Sequence, residues 1–186
     1  MKILFVCTGN TCRSPMAQAI LQDKTEHDVQ SAGIFAGEGQ PASDGTRMVL
    51  DEHGIDFRHS SQPVNEEMIA SADLVLAMTQ GHRDILKQQY FPFEEKIFTL
   101  KEYADPQFQK AWEQLKKAYA ALEEAKLSND EQIEEKQQKI NQLEKIVQNI
   151  DIADPFGGNI MTYQKIYQEI DNYLELLVKK IDNRSR

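Results

Sequence analysis

Residues 3–14 constrain the fold of this chain more strongly than any other segment. The apolar run Ile3–Val6 leads directly into the polar loop C-T-G-N-T-C-R-S at residues 7–14, and Pro15 follows where a helix can begin. A buried strand, a tight loop and a helix N-terminus form an anion cradle, because the loop N–H groups converge and the helix dipole favours negative charge. We therefore expect an α/β fold with an anion site at the carboxyl end of its first strand.

Cys7 and Arg13, at the two ends of this loop, suit attack on a bound phosphoryl group. A positive field favours the thiolate of Cys7, which is the nucleophilic form of a cysteine. The planar guanidinium of Arg13 can hold two oxygens of a tetrahedral anion. The pair predicts covalent catalysis through a phosphocysteine. In the alternative interpretation Cys7 is a small buried residue that ends a strand, but the spacing to Arg13 and Ser14 favours the nucleophile.

The remaining loop residues are predicted to shape the cradle. Gly9 permits close approach of a phosphate, and Asn10 tolerates left-handed backbone angles while it bonds the loop internally. The Ser14 hydroxyl is placed to cap the following helix and to donate to the Cys7 sulfur. The loop residues predicted to bind the phosphoryl group are Thr8, Gly9, Asn10, Thr11, Cys12 and Ser14.

Four separated blocks of the chain resemble the low-molecular-weight protein tyrosine phosphatases. The first is the loop itself, since the signature of that family is a strand-terminal Cys, five residues, Arg and then Ser or Thr. Ser31-Ala32-Gly33, residues 72–78 and D-P-F-G-G at 154–158 follow in the order of the family. The resemblance covers residues 1 to about 104 and 151–186. It implies a phosphatase acting on a phosphorylated protein, with a distant Asp-Pro pair as the source of the general acid.

The chain contains two Asp-Pro pairs, and only one of them is predicted to be catalytic. The resemblance implies Asp154 as the general acid, in a loop whose glycines Gly157 and Gly158 let it approach the substrate. Proton donation to a leaving atom contributes roughly 10²- to 10⁴-fold in rate. Asp105 lies at the entry to a charged helical segment, and we predict a structural role for it, either in an ordinary turn or as a helix N-cap followed by proline at the first position.

The residue before the second loop cysteine bears on the substrate. It is usually a branched aliphatic in the tyrosine-specific members of the family, whereas here it is Thr11, and the blocks together resemble the bacterial protein arginine phosphatases. The leaving group of phosphoarginine is a planar polar guanidinium, which Thr11 would orient and Asp154 would engage, with Phe156 as a pocket wall. Phosphotyrosine is the alternative substrate, and a non-catalytic phosphate-binding module is a further alternative.

Cys12 is the only other cysteine of the chain. Two interpretations stay open, namely packing under the loop, or a resolving thiol that traps oxidised Cys7 as a disulfide before irreversible oxidation. The family resemblance supports the redox role of Cys7 and Cys12. The count of two cysteines argues against the arsenate reductases that share this loop, because those enzymes relay electrons through further cysteines downstream.

The composition predicts a soluble cytoplasmic enzyme. The 21 basic and 30 acidic residues give a net charge of −9, which argues against nucleic-acid binding. No apolar stretch approaches the roughly 20 residues of a membrane span, and two cysteines without a signal sequence are typical of the cytoplasm. His27, His53, His59 and His82 lack metal-ligand spacing and are predicted to lie at the surface or at helix ends. No metal or cofactor is implied.

The hydrophobic pattern predicts a doubly wound sheet of four parallel strands with helices on both faces. Apolar runs predict strands at 2–7, 29–35, 74–78 and 96–100. Helical spacing predicts helices at 14–26, 43–53, 65–71, 80–89 and 161–180. Ligands of such a sheet bind at the carboxyl ends of the strands, where Cys7 lies.

The whole chain, 1–186, is predicted to form a single domain. Residues 107–150 are predicted to form an antiparallel helical hairpin inserted before residues 154–158, the acid loop, which carries Asp154. Apolar residues recur at helical spacing in both halves: Phe108, Trp112, Leu115, Tyr119 and Leu122, then Ile133, Ile140, Leu143, Val147 and Ile150. S-N-D-E at 128–131 predicts a break with a capping box, and Trp112 is interpreted as a packing residue. The hairpin is a solvated outgrowth, a docking arm for a partner or substrate, or a dimerising coiled coil.

Overall fold

A four-stranded parallel sheet forms the centre of the computed structural model, which describes residues 1–128 and 131–184. The strands are β1 Lys2–Cys7, β2 Asp28–Gly33, β3 Leu74–Ala77 and β4 Ile97–Thr99. They lie in the order β2-β1-β3-β4, and every pairing is parallel. The predicted fold class, a doubly wound α/β sheet with helices on both faces, is confirmed.

Helices cover both faces of this sheet. The described α-helices are α1 Arg13–Lys24, α2 Asp44–Glu52, α3 Glu66–Ser71, α4 Gln80–Gln89, α5 Leu100–Ala104, α6 Pro106–Ser128, α7 Ile133–Gln148 and α8 Ile160–Arg184, with a 3-10 helix at Phe91–Lys96. Residues of α1, α2, α5 and α8 share one core cluster with the sheet. Residues of α3 and α4 share the cluster on the opposite face. This two-sided burial is what right-handed crossovers between parallel strands produce.

Strand β1 is buried on both sides, as expected of the central strand of such a sheet. Ile3 and Phe5 face the α1 and α8 side, whereas Leu4 and Val6 face the α3 and α4 side. The strand ends at Cys7, which pairs with Gly33 of β2. The carboxyl ends of the parallel strands therefore meet around Cys7, where such sheets bind ligands.

The predicted element boundaries differ from the structure in a few places. The strand predicted at 29–35 ends at Gly33, because the chain turns there and the Phe35 N–H donates to the Thr8 carbonyl in the loop, 2.9 Å away. Helix α8 extends to Arg184 rather than residue 180. Neither the 3-10 helix nor α5 was predicted, since both are short and interrupted by charged residues.

Helices α6 and α7 pack against each other through a small apolar cluster. Its buried members are Ala111, Leu115, Leu122, Ile140 and Leu143. The predicted apolar face of the first helix is wrong in part, because Trp112 and Tyr119 are 45% and 44% exposed. Alanine and leucine form the contact instead, since small side chains let two helices approach closely.

Two features of the predicted hairpin go beyond the described helices. Residues Asn129 and Asp130, which belong to the predicted capping box, lie outside the described residues. The division of the chain into one domain at 1–186 with an insertion at 107–150 stays a prediction. Among the residues that the structure covers, no helix is long and apolar enough to cross a membrane.

Candidate active site

The Cys7 sulfur lies at the carboxyl end of β1, 2.9 Å from the hydroxyl oxygen of Ser14. Both residues are buried, and Ser14 belongs to the first turn of α1. Either the thiol or the hydroxyl can be the donor in this contact, and the Ser14 hydroxyl also lies 3.4 Å from the Ala32 carbonyl oxygen. The contact therefore joins the predicted nucleophile to the start of the helix that binds the anion.

Ser14 does not cap α1, so that part of the prediction is wrong. The helix begins at Arg13, and its N-cap residue Cys12 makes no side-chain cap hydrogen bond. The Ser14 hydroxyl is used within the loop instead, by Cys7 and by the Asn10 side-chain amide. Its position inside the first helical turn places it too late in the chain to act as a cap.

Asn10 holds the loop in its curved form. Its backbone φ is 55°, in the left-handed region that asparagine tolerates better than most residues. The side-chain Nδ2 donates to the hydroxyls of Ser14 and Ser31 at 2.9 and 2.8 Å. The Oδ1 accepts from the backbone N–H of Gln62 at 3.0 Å. With full burial, this side chain ties the loop to β2 and to the segment before α3.

His59 supports the same loop from outside the sheet. Its Nε2 lies 2.6 Å from the Asn10 carbonyl oxygen, and burial lowers the pKa of His59. The prediction that His59 is a surface residue is therefore wrong. Ser31, Gln62 and His59 were not predicted as site residues, since each touches the loop from 21 to 52 residues away along the chain.

Gly33 permits β2 and the loop to approach closely. A Cβ atom at this position would lie 2.6 Å from the Thr8 carbonyl oxygen and 2.9 Å from the Asn10 nitrogen. Contacts this short do not occur for real side chains, so a larger residue here would displace the loop. The glycine of the S-A-G block therefore has a structural role in shaping the cradle.

Arg13 links the loop to the segment that carries the predicted acid. It is 4% exposed, and its Nη1 donates to the Ile152 carbonyl oxygen at 2.9 Å. Its Nη2 lies 3.2 Å from Asp154 Oδ2. Within the described residues, the buried Nε has no hydrogen-bond partner. The guanidinium is thus held by two contacts to the segment that carries Asp154.

Asp154 lies in a loop that the sheet anchors. The N–H of Ile152 donates to the Met78 carbonyl oxygen at the end of β3, 2.8 Å away. Asp154 Oδ1 accepts from the Phe156 N–H at 3.2 Å, and its side chain is 51% exposed. Phe156 is 77% exposed and Gly157 has a φ of 77°. The loop therefore presents a carboxylate and an aromatic ring beside the cradle.

Asp105, the other Asp-Pro aspartate, caps a helix as predicted. Its Oδ1 accepts from the Gln107 N–H at 2.8 Å, and Pro106 is the first residue of α6. Proline is favoured at this position because its missing N–H has no helical partner there. This carboxylate is committed to the helix end.

His82 reaches the loop from the first turn of α4. Its Nε2 lies 2.8 Å from the Thr8 hydroxyl oxygen. Burial, together with the charge of Arg13, lowers the pKa of His82 to about 4 against the opposing effect of Asp151 and Asp154. The imidazole is therefore neutral at neutral pH. His82 lies at a helix end, as predicted, but its contact with Thr8 in the cradle was not predicted.

Cys12 is buried on the opposite side of the loop from β2. Its Sγ donates to the Ser43 hydroxyl at 3.3 Å and lies 3.6 Å from the Tyr163 hydroxyl. Burial raises the pKa of Tyr163. Both Cys7 and Cys12 are free thiols, so the packing role is visible and the redox role stays a prediction.

Thr11 occupies a partly exposed position in the cradle. Its carbonyl accepts from the Ser43 N–H at 2.8 Å, and its hydroxyl lies 3.8 Å from the Cys12 sulfur. The loop is thereby tied to the N-terminus of α2 on the side opposite to β2. The predicted catalytic residues Cys7, Arg13 and Asp154 thus lie around one cradle, but their catalytic roles stay predictions.

No group of three His, Cys, Asp or Glu side chains in the described part of the chain could hold a metal ion. A thiol, a guanidinium, a helix N-terminus and an exposed carboxylate are the parts required for covalent transfer of a phosphoryl group.

Comparison with known proteins places most of the chain among phosphatases. Residues 2–124 match the family model of the low molecular weight phosphotyrosine protein phosphatases. The chain is 36% identical to the protein-arginine-phosphatase of Geobacillus stearothermophilus over 182 residues, which cover 97% of this chain and 95% of that protein. It is 39% identical to the low molecular weight protein-tyrosine-phosphatase PtpB of Staphylococcus aureus over 104 residues, which cover 55% of this chain and 73% of that protein.

A solved structure extends this similarity to the fold. A mutant of the YwlE arginine phosphatase with a phosphorylated active-site serine aligns with a TM-score of 0.73 and 33% identity. The alignment covers 98% of this chain and 96% of that structure. A low molecular weight protein tyrosine phosphatase of T. tengcongensis aligns equally well, with a TM-score of 0.72 and 33% identity over 97% of this chain and 99% of that structure. Similarity to structures of both kinds of phosphatase therefore extends over nearly the whole chain.

Proposed function

Since the chain belongs to the low molecular weight phosphotyrosine protein phosphatase family, we propose that it dephosphorylates phosphoarginine residues in proteins through a phosphocysteine intermediate. The family predicted from the sequence is confirmed, and with it a cysteine-dependent protein phosphatase. The observation that carries the proposal is the position of Cys7, Arg13 and Asp154 around one cradle, in a chain similar to an arginine phosphatase over 97% of its length.

In the first step the Cys7 thiolate attacks phosphorus in line with the leaving nitrogen. A sulfur–phosphorus bond forms and the phosphorus–nitrogen bond breaks. Charge on the equatorial oxygens is held by Arg13 and by the backbone N–H groups of residues 8–14, which are fixed before the reaction and need no reorganisation. The bound oxygens take over donors of Arg13 and release Asp154 from its ion pair. Asp154 then takes up a proton from solvent and, as the carboxylic acid, passes it to the departing guanidine nitrogen.

In the second step water attacks the phosphocysteine. Asp154, now a carboxylate, takes a proton from that water, and the sulfur–phosphorus bond breaks to release phosphate. The departing sulfur regains its negative charge beside the Ser14 hydroxyl, 2.9 Å away, and beside the N-terminus of α1. Both steps use the same acid and the same anion cradle, so no additional group is required.

Thr11 and the exposed carboxylate support arginine as the substrate side chain. A guanidinium leaving group is polar over its whole edge, so it is best accommodated by hydroxyl and carboxylate groups. Thr11 is partly exposed in the loop, and Asp154, which pairs with Arg13 of the same loop, is half exposed. Phe156 offers a surface against which the aliphatic part of the arginine packs.

Phosphotyrosine is the second candidate, and one structural observation favours it. Phe35 and Phe156, which are 76% and 77% exposed, both neighbour the cradle, since the Phe35 N–H donates to Thr8 and Phe156 donates to Asp154. Two exposed rings would also pack against an aromatic substrate. The similarity to the tyrosine phosphatase PtpB is confined to 55% of the chain.

A comparison of two substrates tests the arginine proposal. Peptides of one sequence, carrying phosphoarginine or phosphotyrosine, are assayed with the natural chain, Thr11→Ile and the conservative control Thr11→Ser. We expect kcat/KM for phosphoarginine to exceed that for phosphotyrosine by at least about tenfold, and Thr11→Ile to reduce this ratio by a similar factor. Preference of the natural chain for phosphotyrosine would contradict the arginine proposal and support the second candidate.

A further inference from the structure

A groove of about 590 Å³ lies between helix α6, the end of α7 and the β4 edge of the sheet, where α4, α5 and α8 also contribute side chains. Its walls are largely apolar, and they include Phe98, Phe108, Trp112, Val147 and Ile150. The rings of Phe108 and Trp112 stack with centroids 6.4 Å apart. Trp112 is 45% exposed, which is unusual for the largest apolar side chain unless it contributes to binding.

The charged rim of this groove differs in sign from the chain as a whole. Arg83 in this rim pairs with Glu102 and also with Asp84, which lies outside the groove lining. The other charged side chains are three lysines, Lys87, Lys116 and Lys180, and one carboxylate, Glu113. The rim is therefore locally positive on a protein of net charge −9. A positive patch on an acidic protein favours acidic partners. The rest of the protein surface repels a negatively charged segment, whereas the patch attracts it.

Two of these lysines stand over aromatic rings of the groove. Lys116 Nζ lies 5.6 Å from the centroid of Trp112, and Lys87 Nζ lies 5.6 Å from the centroid of Phe98. Neither lysine forms an ion pair with another described residue. The groove therefore combines an apolar wall with lysine ammonium groups. This combination suits a peptide segment that contains both apolar and acidic side chains.

The groove is continuous with the acid loop. Ile150 and Gln80 both line it, and the Gln80 N–H donates to Asp151 Oδ1 at 2.7 Å. Only three residues lie between Ile150 and Asp154, and an extended chain spans at most about 14 Å over these four positions. A substrate held at the cradle therefore reaches the groove within about four or five residues of its phosphorylated side chain.

We propose that this groove docks an acidic, apolar segment of the phosphoprotein substrate, near in sequence to the phosphorylated residue. This inference takes the identity of the phosphorylated side chain from the proposed function. Binding of the segment to the groove does not depend on that function. Trp112 and Phe108 hold the apolar side chains of the segment, and Lys116 and Lys87 hold its carboxylates. Of the three roles that the sequence left open for the hairpin, this proposal selects the docking arm.

Fluorescence tests the binding without any need for turnover, because Trp112 is the only tryptophan of the chain. The probe is a peptide without a phosphoryl group that contains Asp, Glu, Phe and Leu, and its counterpart carries Lys in place of the acidic residues. We expect the acidic peptide alone to change the Trp112 emission in a saturable way. Lys116→Glu weakens this binding about two- to fivefold, whereas Lys117→Glu, an exposed charge reversal outside the groove lining, leaves it unchanged.

Kinetics then relate the groove to catalysis. With phosphopeptides that carry the acidic or the basic extension, we expect Trp112→Ala to raise KM for the acidic one by about tenfold at unchanged kcat. The rate with p-nitrophenyl phosphate, which is too small to reach the groove, stays the same. Lys116→Glu should favour the basic extension, since the sign of the rim has been changed.

Several results would overturn the docking proposal. Equal binding of the acidic and basic peptides, or an equal effect of Lys116→Glu and Lys117→Glu, would remove its electrostatic basis. Trp112 emission that depends on protein concentration alone would show that a second copy of the chain covers the groove. Loss of all phosphatase activity with intact peptide binding would instead contradict the proposed function and leave the groove as a binding surface.

Discussion

Arg13 and Asp154 form an ion pair across the cradle, with 3.2 Å between Nη2 and Oδ2, although 140 residues separate them in the chain. One partner is buried and the other is half exposed. The same guanidinium donates to the Ile152 carbonyl oxygen. Arg13 therefore contacts both a main-chain atom and a side chain of the segment that contains Asp154. Anion binding and acid positioning are therefore coupled through one residue.

Replacement of each Asp-Pro aspartate by asparagine should affect kcat differently. Asp154→Asn keeps the side-chain volume but cannot donate the required proton, so we expect kcat on a phosphoarginine protein to fall by roughly 10²- to 10⁴-fold. Asp105→Asn is the matched control, because asparagine caps a helix as well as aspartate does. Similar kcat values for the two variants, in steady-state assays, would contradict the assignment of Asp154.

Asn10 should be important for stability as well as for catalysis. Asn10→Ala removes the three hydrogen bonds of the side chain. It also places alanine at positive φ, where no polar side chain compensates for the strained backbone. We therefore expect the free energy of unfolding to fall by about 2–4 kcal/mol. Asn10→Gly also loses the bonds but tolerates the backbone angle, and should retain about 1 kcal/mol more stability. Urea denaturation measures both, and an unfolding midpoint equal to that of the natural chain in either variant would be inconsistent with this account.

The buried imidazole of His82 should make the folded state sensitive to acid. Its pKa is about 4 in the folded chain and about 6.5 in the unfolded chain, so the unfolded state takes up the proton first. Stability is therefore highest above pH 6.5 and decreases as the pH falls from 6.5 to about 4. His82→Gln removes this contribution and should flatten the dependence of the thermal midpoint on pH, whereas His27→Gln should not. An unaltered slope in His82→Gln would exclude His82 as the source.

The two free thiols should respond to peroxide as a pair. We expect oxidised Cys7 to form a disulfide with Cys12 that dithiothreitol reverses, because a neighbouring thiol intercepts the sulfenic acid. Cys12→Ser should instead lose activity irreversibly under the same treatment. Mass spectrometry distinguishes the disulfide from sulfinic and sulfonic products, and equal recovery of both proteins after reduction would remove Cys12 from the redox scheme.

Much of the fold and of the cradle could be predicted because the signals are local. The alternation of apolar runs and helical spacing indicated the parallel sheet, and Cys7, Arg13 and Ser14 lie within eight consecutive residues. Asp154 is remote, and it was identified only through a resemblance to a family. Its pairing with Arg13 is a tertiary contact that no pattern within one segment records.

The parts that could not be predicted depend on contacts between distant segments. His59 and His82 are isolated in the sequence, and only the fold brings them within hydrogen-bond distance of Asn10 and Thr8. In the hairpin, helical spacing located the apolar residues but not the side that packs, so Trp112 was assigned to a core that alanine and leucine form. Aromatic residues near a helix face suit either packing or an exposed groove, and the neighbouring helix decides between them.

Detection of the phosphocysteine tests the central claim most directly. With p-nitrophenyl phosphate, whose leaving group departs without a proton, Asp154→Ala slows only the hydrolysis of the intermediate, because no base activates the water. Rapid quenching of that reaction should therefore accumulate a phosphoryl group on the peptide that contains Cys7. Mass spectrometry of the quenched protein should locate it on the Cys7 sulfur, and Cys7→Ala should show neither the adduct nor turnover. Undiminished turnover by Cys7→Ala, or a phosphoryl adduct on another residue, would contradict the account.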